Sequence, residues 1–337
     1  MELIDRYLQY VQAVRRYSPR TVDIYGEVLR EYAEYSCAPE DGISDEALSK
    51  ALTPAALRNY IVHLLDEKGE SPRTVNLHVS VLSGFCRYLM KEKLLDANPV
   101  RLISRPKTEK RLPEFYREES MKDYFERTAF YAGKDSFEML LSCLASGSKG
   151  DLEEARRLYR RRLARLIVAM LYSTGMRRSE LISLDRGSLD SSRGVLHVKG
   201  KGDKMREIPV ISSLSEEISL YLQTVESMVG CAATAQDPLL RTEKGGRLYP
   251  VYVDRAVKEE LGGGDITGRK SPHVLRHTLA TELLDEGTDL NSIKELLGHS
   301  SLAATQVYTH NSIEKLKKVY NNAHPRAKIG ANYEDKD

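Results

Sequence analysis

Across the first hundred residues apolar side chains recur at helical rather than alternating spacing, which predicts an all-α module with no convincing strand. Val75, Val79, Leu82, Phe85, Cys86 and Leu89 fall on one face of a long helix expected to end near Asn98-Pro99. Two helix starts share one sequence: Ser18-Pro-Arg-Thr-Val22 and Ser71-Pro-Arg-Thr-Val75. Each puts serine at the N-cap and proline at the first helical position, where its missing N–H costs nothing. A start of this kind can also hold a phosphate, with Arg20 and Arg73 adding charge; a plain cap is the simpler reading of either one.

The pattern then breaks. Pro99, Pro106 and Pro113 discourage helix, so residues 101–112 are expected to run extended as a linker between two bodies. Beyond it, Leu163, Leu166, Ile167, Met170 and Leu171 have the spacing of a core-facing helix that stops at Gly175. Residues 116–162 read as helical with a Gly/Ser break at 146–150. From Gly194 to Val210 the order is strand, glycine-containing turn, strand. Helical patterns resume at 251–261, 272–286, 290–297 and 313–322. The expected fold is therefore mainly α with a small antiparallel β-sheet in the second domain. Its parts are a helical domain at 1–100, a linker at 101–112, a mixed α/β domain at 113–327 and a polar tail at 328–337.

Composition narrows the class. With 337 residues, 41% hydrophobic and 30% charged, the chain suits two folded domains and not a disordered protein. No apolar run approaches the roughly 20 residues that span a bilayer, and the first residues lack a signal peptide's layout. A cytoplasmic location without membrane contact is the expectation. Cys37, Cys86, Cys143 and Cys231 stand apart, with no metal-ligand spacing, and are expected to be reduced and structural. A net charge of +2 does not announce a polyanion, but its distribution is uneven. Arg101, Arg105, Lys107, Lys110 and Arg111 face a single acid, Glu109, and six arginines lie between Arg156 and Arg165 with no acid. Each such cation on an extended segment can neutralise one phosphate of a duplex; an ordinary solvated hinge is the alternative.

Four separated pieces carry unusual polar residues at the ends of elements. They are Ser173-Thr-Gly-Met-Arg177-Arg-Ser-Glu-Leu181, Lys199-Gly-Lys201-Gly-Asp-Lys204, Pro272-His273-Val-Leu-Arg276-His277-Thr278, and Leu297-Gly-His299 followed by Tyr308. Together and in this order they resemble the active-site motifs of the tyrosine recombinases, the phage-integrase family, over nearly the whole second domain. The first domain resembles that family's core-binding domain, and residues 311–327 resemble the terminus of Xer-type members.

The resemblance implies Arg177 as the first catalytic arginine, Lys201 in the hairpin turn, His273 and Arg276 as the HxxR pair, His299, and Tyr308 as nucleophile. It implies a double-stranded DNA partner, bound with help from Arg20, Arg73, Arg101, Arg105, Lys107 and Lys110. It also implies a tetramer, homomeric or heteromeric, on two DNA sites, with helix 313–322 docking into a neighbouring subunit. No metal or other cofactor is expected. The chemistry accounts for the residue types. A phosphodiester gathers negative charge as a nucleophile arrives, and fixed guanidinium forks neutralise it. Tyrosine, with an ordinary pKa near 10, needs a base or a positive field, for which His273 is the candidate; a lysine on a turn can protonate the leaving 5′ oxygen.

Other readings stay open. Lys199 or Lys204 could replace Lys201, and Arg178 could replace Arg177. His273 and His277 have zinc-ligand spacing, but without the glutamate of HExxH. A type IB topoisomerase uses the same chemistry to relax supercoils, and a DNA-binding regulator would not cleave. Extra residues within 116–162 depart from the compact Xer pattern, which leaves a mobile-element integrase or invertase open beside a chromosome-dimer resolvase.

Overall fold

The computed structural model describes residues 2–37, 44–108, 114–200, 204–229, 234–263, 266 and 268–298. The chain divides into two compact units, Met1–Arg111 and Leu112–Asp337.

The first unit is helical. Its helices are α1 (Glu2–Ala13), α2 (Pro19–Ser36), α3 (Asp45–Ala51), α4 (Pro54–Val62, continued by a π-helical turn at His63–Glu67) and α5 (Pro72–Lys91). Pro19, Pro54 and Pro72 each open a helix, and the serine or threonine before each accepts a backbone N–H as cap. All six residues of the expected α5 stripe are buried, packed with Ile4, Tyr7, Leu29, Tyr32 and Tyr60.

α5 stops earlier than the apolar pattern suggests. Lys93 takes φ 59°, its N–H bonds Met90 O, and the Leu94 N–H reaches back to Leu89 O at 2.9 Å, a Schellman close. Asn98 then caps a separate 3₁₀ turn, Pro99–Leu102. The basic segment after it is laid along α5, with Arg105 bonding Ser80 Oγ and Asn76 bonding Pro106 O.

The second unit comprises α6 (Glu118–Arg127), α7 (Ala129–Ala132), α8 (Lys134–Ser146), α9 (Lys149–Thr174) and α10 (Arg178–Ser183). The strands β1 (Leu189–Asp190), β2 (Val195–Lys199) and β3 (Met205–Pro209) follow. It continues with α11 (Ser212–Val229), α12 (Pro250–Glu260), α13 (Pro272–Asp285) and α14 (Leu290–Leu297). The strands form one antiparallel sheet in the order β1-β2-β3, with Lys199 opposite Met205. Neither α11 nor β1 is anticipated by the sequence patterns above.

α9 is the axis of this unit. Its second half is apolar nearly all round and buried from Leu163 to Leu171 apart from Ala164, because α8, α11, α12 and α13 pack on it from several sides. Two of its six arginines turn inward: Arg162 bonds Gly133 O and Ser136 Oγ, and Arg165 pairs with buried Glu217. The helix ends at Gly175, which takes φ 59° in the left-handed region. A Cβ there would lie 2.5 Å from Leu297 Cδ2 and 3.0 Å from Leu279 Cδ2. Gly175→Ala is therefore expected to destabilise the unit by about 1–3 kcal/mol, from backbone strain before any overlap is counted. A thermal melt of the full chain tests this; an unchanged midpoint would contradict it.

Candidate active site

Immediately past Gly175 the chain turns into α10, with Arg177 at its N-cap. Glu180, three residues on, accepts the Arg177 backbone N–H at 2.8 Å and the Arg177 Nη1 at 2.8 Å. This is the returning half of a capping box, so the Arg-Arg-Ser-Glu run positions its own arginine. Glu180 is buried, and from β3 the buried Arg206 grips both of its oxygens, Nη1 to Oε1 at 3.1 Å and Nη2 to Oε2 at 2.7 Å. Burial alone would raise the carboxyl's pKa. The Arg206 hydrogen bonds and the Arg177 N–H outweigh it and hold the group below the usual carboxylate range.

α13 begins at Pro272, with Ser271 preceding it, and carries His273 and Arg276 in its first turns. Arg276 is buried and donates from Nη1 to Gly175 O at 2.6 Å and from Nη2 to Leu297 O at 2.7 Å. Burial, reinforced by Arg177 and Arg206, lowers its pKa to about 10, so it remains charged at neutral pH.

The C-terminal turn of α14 is the common anchor. Carbonyls at a helix end lack partners within the helix and carry partial negative charge. Here three consecutive ones are taken by three arginines from three different elements. Arg206 Nε reaches Leu296 O at 3.2 Å, Arg276 reaches Leu297 O, and Arg177 Nη2 reaches Gly298 O at 3.2 Å. Arg177 keeps 35% of its side chain exposed, whereas Glu180, Arg206 and Arg276 are buried, so it is the cluster member that solvent reaches.

His273 is exposed, and its pKa lies below the ordinary histidine value. Partial desolvation is the main cause, followed by His277, Arg276, Arg177 and Arg178, all of which oppose a further positive charge. At neutral pH the ring is therefore neutral and able to accept a proton. A rate that depends on that neutral ring rises with pH through a midpoint below the ordinary value of about 6.5. Such an acid limb is the expected result of a single-turnover pH profile; a midpoint above the ordinary value would contradict it.

Of the other expected site residues, Lys201, His299 and Tyr308 lie outside the described residues, as do Lys110, Cys231 and helix 313–322. The hairpin base beside Lys201 is described. The Gly200 N–H bonds Lys204 O at 2.8 Å, and a Cβ on Gly200 would stand 3.5 Å from Arg206 Nη1. Arg178 pairs instead with Asp254 on α12. Arg20 and Arg73 are exposed in the first turns of α2 and α5, where Ser18 and Ser71 fill the cap role in the same geometry. Arg101, Arg105 and Lys107 are also exposed. Among the described residues no group of three His, Cys, Asp or Glu side chains could hold a metal ion, and no helix is long and apolar enough to cross a membrane.

Two residues of the cluster, Glu180 and Arg206, are not among those the sequence patterns single out. Glu180 has a local signal, its position three residues after Arg177. Arg206 has a subtler one: it shares the inward face of β3 with Ile208, where an arginine demands a buried partner.

Comparison with known proteins places the chain in a family. Residues 153–315 match the phage integrase family, and residues 4–93 match the phage integrase N-terminal SAM-like domain. Helices α6–α8 fall between the two. Tyrosine recombinase XerC of Chlorobaculum parvum is 33% identical over 96% of this chain and 94% of its own length. XerC of Bacillus subtilis is 33% identical over 95% of each chain. Among solved structures, the Tn1549 transposon integrase in complex with a circular intermediate DNA covers 94% of this chain and 98% of that one. Its TM-score is 0.58 at 17% identity, a likeness of fold. A lambda integrase dimer bound to a core site covers 94% of this chain and 76% of that one, with a TM-score of 0.56 at 17% identity. With relatives at this identity aligned over almost their full length, the chain belongs to the phage-integrase family of tyrosine recombinases, as an Xer-like member.

Proposed function

We propose that this recombinase exchanges strands at a defined DNA site by the following division of labour. Arg177 and Arg276 hold the non-bridging oxygens of the scissile phosphate, and His273 takes the proton of Tyr308. The tyrosine oxygen forms a bond to phosphorus as the bond to the 5′ oxygen breaks, Lys201 supplies the proton to that oxygen, and His299 donates a hydrogen bond to the phosphate. The 3′-phosphotyrosine retains the bond energy, so the freed 5′-hydroxyl of a partner strand can reverse the step without ATP or a metal, and paired exchanges pass through a Holliday junction. The observation that carries this reading is the fastening of Arg177 and Arg276 to the adjacent carbonyls of Gly298 and Leu297, which brings two guanidinium groups to one place near His273.

In this reading residues 1–100 form the core-binding domain and 113–327 the catalytic domain. Arg20, Arg73, Arg101, Arg105, Lys107 and Lys110 contact phosphates and set register without reading sequence. The enzyme acts in the cytoplasm as a homo- or hetero-tetramer joined through helix 313–322. Recombinase relatives favour strand exchange over the topoisomerase and regulator readings.

The test begins with DNA trapped on the protein in cells, whose sequence supplies the site. A nicked suicide duplex of that site should then yield a covalent protein–DNA adduct. Peptide mapping should place the DNA on Tyr308, and a chelator should leave the yield unchanged. No adduct, or one mapped to another residue, overturns the assignment.

A further inference from the structure

We propose that Arg206 is a positioning residue for strand cleavage: through Glu180 it fixes the angle of Arg177, and through Leu296 it holds the end of α14 against both. The inference rests on the function proposed above.

Successive residues of β3 meet different partners. Glu207 forms a bidentate pair with Arg193, both bonds 3.0 Å, which leaves Arg193 substantially exposed. Arg206 points the other way and is only 6% exposed, and all three of its guanidinium nitrogens are engaged, two on Glu180 and one on Leu296 O. The backbone closes around it. Gly298 takes φ 66°, and a Cβ there would meet the guanidinium at 3.1 Å from Nη1 and 3.2 Å from Cζ.

Replacing a buried ion pair by an apolar pair of similar volume is often neutral or stabilising, so stability alone does not call for Arg206 and Glu180 here. What the ion pair supplies here is direction. Glu180 has two oxygens, and each accepts one bond from Arg177 and one from Arg206. With Arg206 in place the carboxylate plane is set by β3, and Arg177 inherits that orientation. Without it, Glu180 can turn about its side-chain torsions and carry Arg177 with it. Arg206 also spans the pieces a cleavage site must keep in register: the hairpin beside Lys201, the α10 start, and the α14 end that precedes His299. Only a planar fork makes all three contacts; an ammonium keeps the charge and loses the geometry.

The experiment uses the full chain with Arg206→Met and Arg206→Lys. It measures thermal midpoint, affinity for an intact duplex of the trapped site, and single-turnover adduct formation on the nicked duplex at saturating enzyme, well below each midpoint. The expected result for Arg206→Met is near-wild-type affinity with cleavage slowed roughly 10²-fold, the scale of a catalytic group displaced by about 1 Å. Arg206→Lys should recover only part of that rate. Cleavage at the wild-type rate in Arg206→Met overturns the proposal. So does a loss that affects affinity and rate equally, because that pattern marks a residue that only holds the fold. Absence of an adduct from the wild-type chain is a separate outcome and removes the underlying reading together with this one.

Discussion

Arg276→Lys is expected to slow single-turnover cleavage by about 10²–10³-fold, the usual cost of one donor that stabilises developing charge. Among the described residues Arg276 spends two of its five N–H groups on Gly175 O and Leu297 O, which leaves three to meet a phosphate in a fixed plane. A lysine ammonium cannot reach two carbonyls and a phosphate from one point, so the charge survives and its aim does not. The fold should tolerate the change better than the chemistry does. Two carbonyls lose part of their hydrogen bonding, while the positive charge facing burial, Arg177 and Arg206 is unchanged. DNA affinity should change little, because one phosphate contact among many lowers the salt slope by only about one. Quenched-flow adduct formation beside a thermal melt and a salt titration of binding checks all three. A wild-type rate would remove Arg276 from the site.

Much of this was readable in the chain because punctuation and periodicity are local. The Ser-Pro starts of α2 and α5 and the glycine stop of α9 announce themselves within a few residues. α11 carried a signal, Leu214, Ile218, Tyr221 and Val225 on one face, hidden behind an opening Ser-Ser-Leu-Ser that reads as turn. β1 had none, since two residues show no period and are strand only by pairing with β2. The run of arginines from 156 to 165 misleads as a sequence. Glu153 and Glu154, one turn earlier, pair with Arg156 and Arg157, as the (i, i+3) spacing of a helix requires. Arg160 meets Glu153 and Glu243, Arg161 meets Glu260, and Arg162 and Arg165 are buried. Acids outside the run, some far off in sequence, cancel a charge that looked unopposed within it. The site divides in the same way. Arg177, His273 and Arg276 stand in recognisable motifs, whereas Arg206 acquires meaning only from a carboxylate 26 residues away.

Glu180→Leu should be the most damaging single change to the fold of this cluster, with an expected loss of about 3–5 kcal/mol, because it leaves the buried Arg206 facing an apolar side chain. The effect should depend on pH in a defined direction. Glu180 is held below the usual carboxylate range in the folded protein, so on acidification the unfolded chain takes up the proton first. The pair's stabilisation is therefore complete above the ordinary glutamate pKa and is lost as pH falls through the depressed folded value; the wild-type advantage over Glu180→Leu should shrink accordingly. Combining Glu180→Leu with Arg206→Met removes both charges and should restore much of the stability, since two apolar groups of similar volume can pack where the pair stood. It should not restore cleavage. The Arg177 backbone N–H and Nη1 both lose their acceptor, and no repacking of the core returns a partner that fixes the guanidinium. Urea unfolding of the single and double variants, set beside their single-turnover rates, separates the two roles. If the double variant regained rate along with stability, Glu180 and Arg206 would be a fold-holding pair, and Arg177 would be positioned by Gly298 alone.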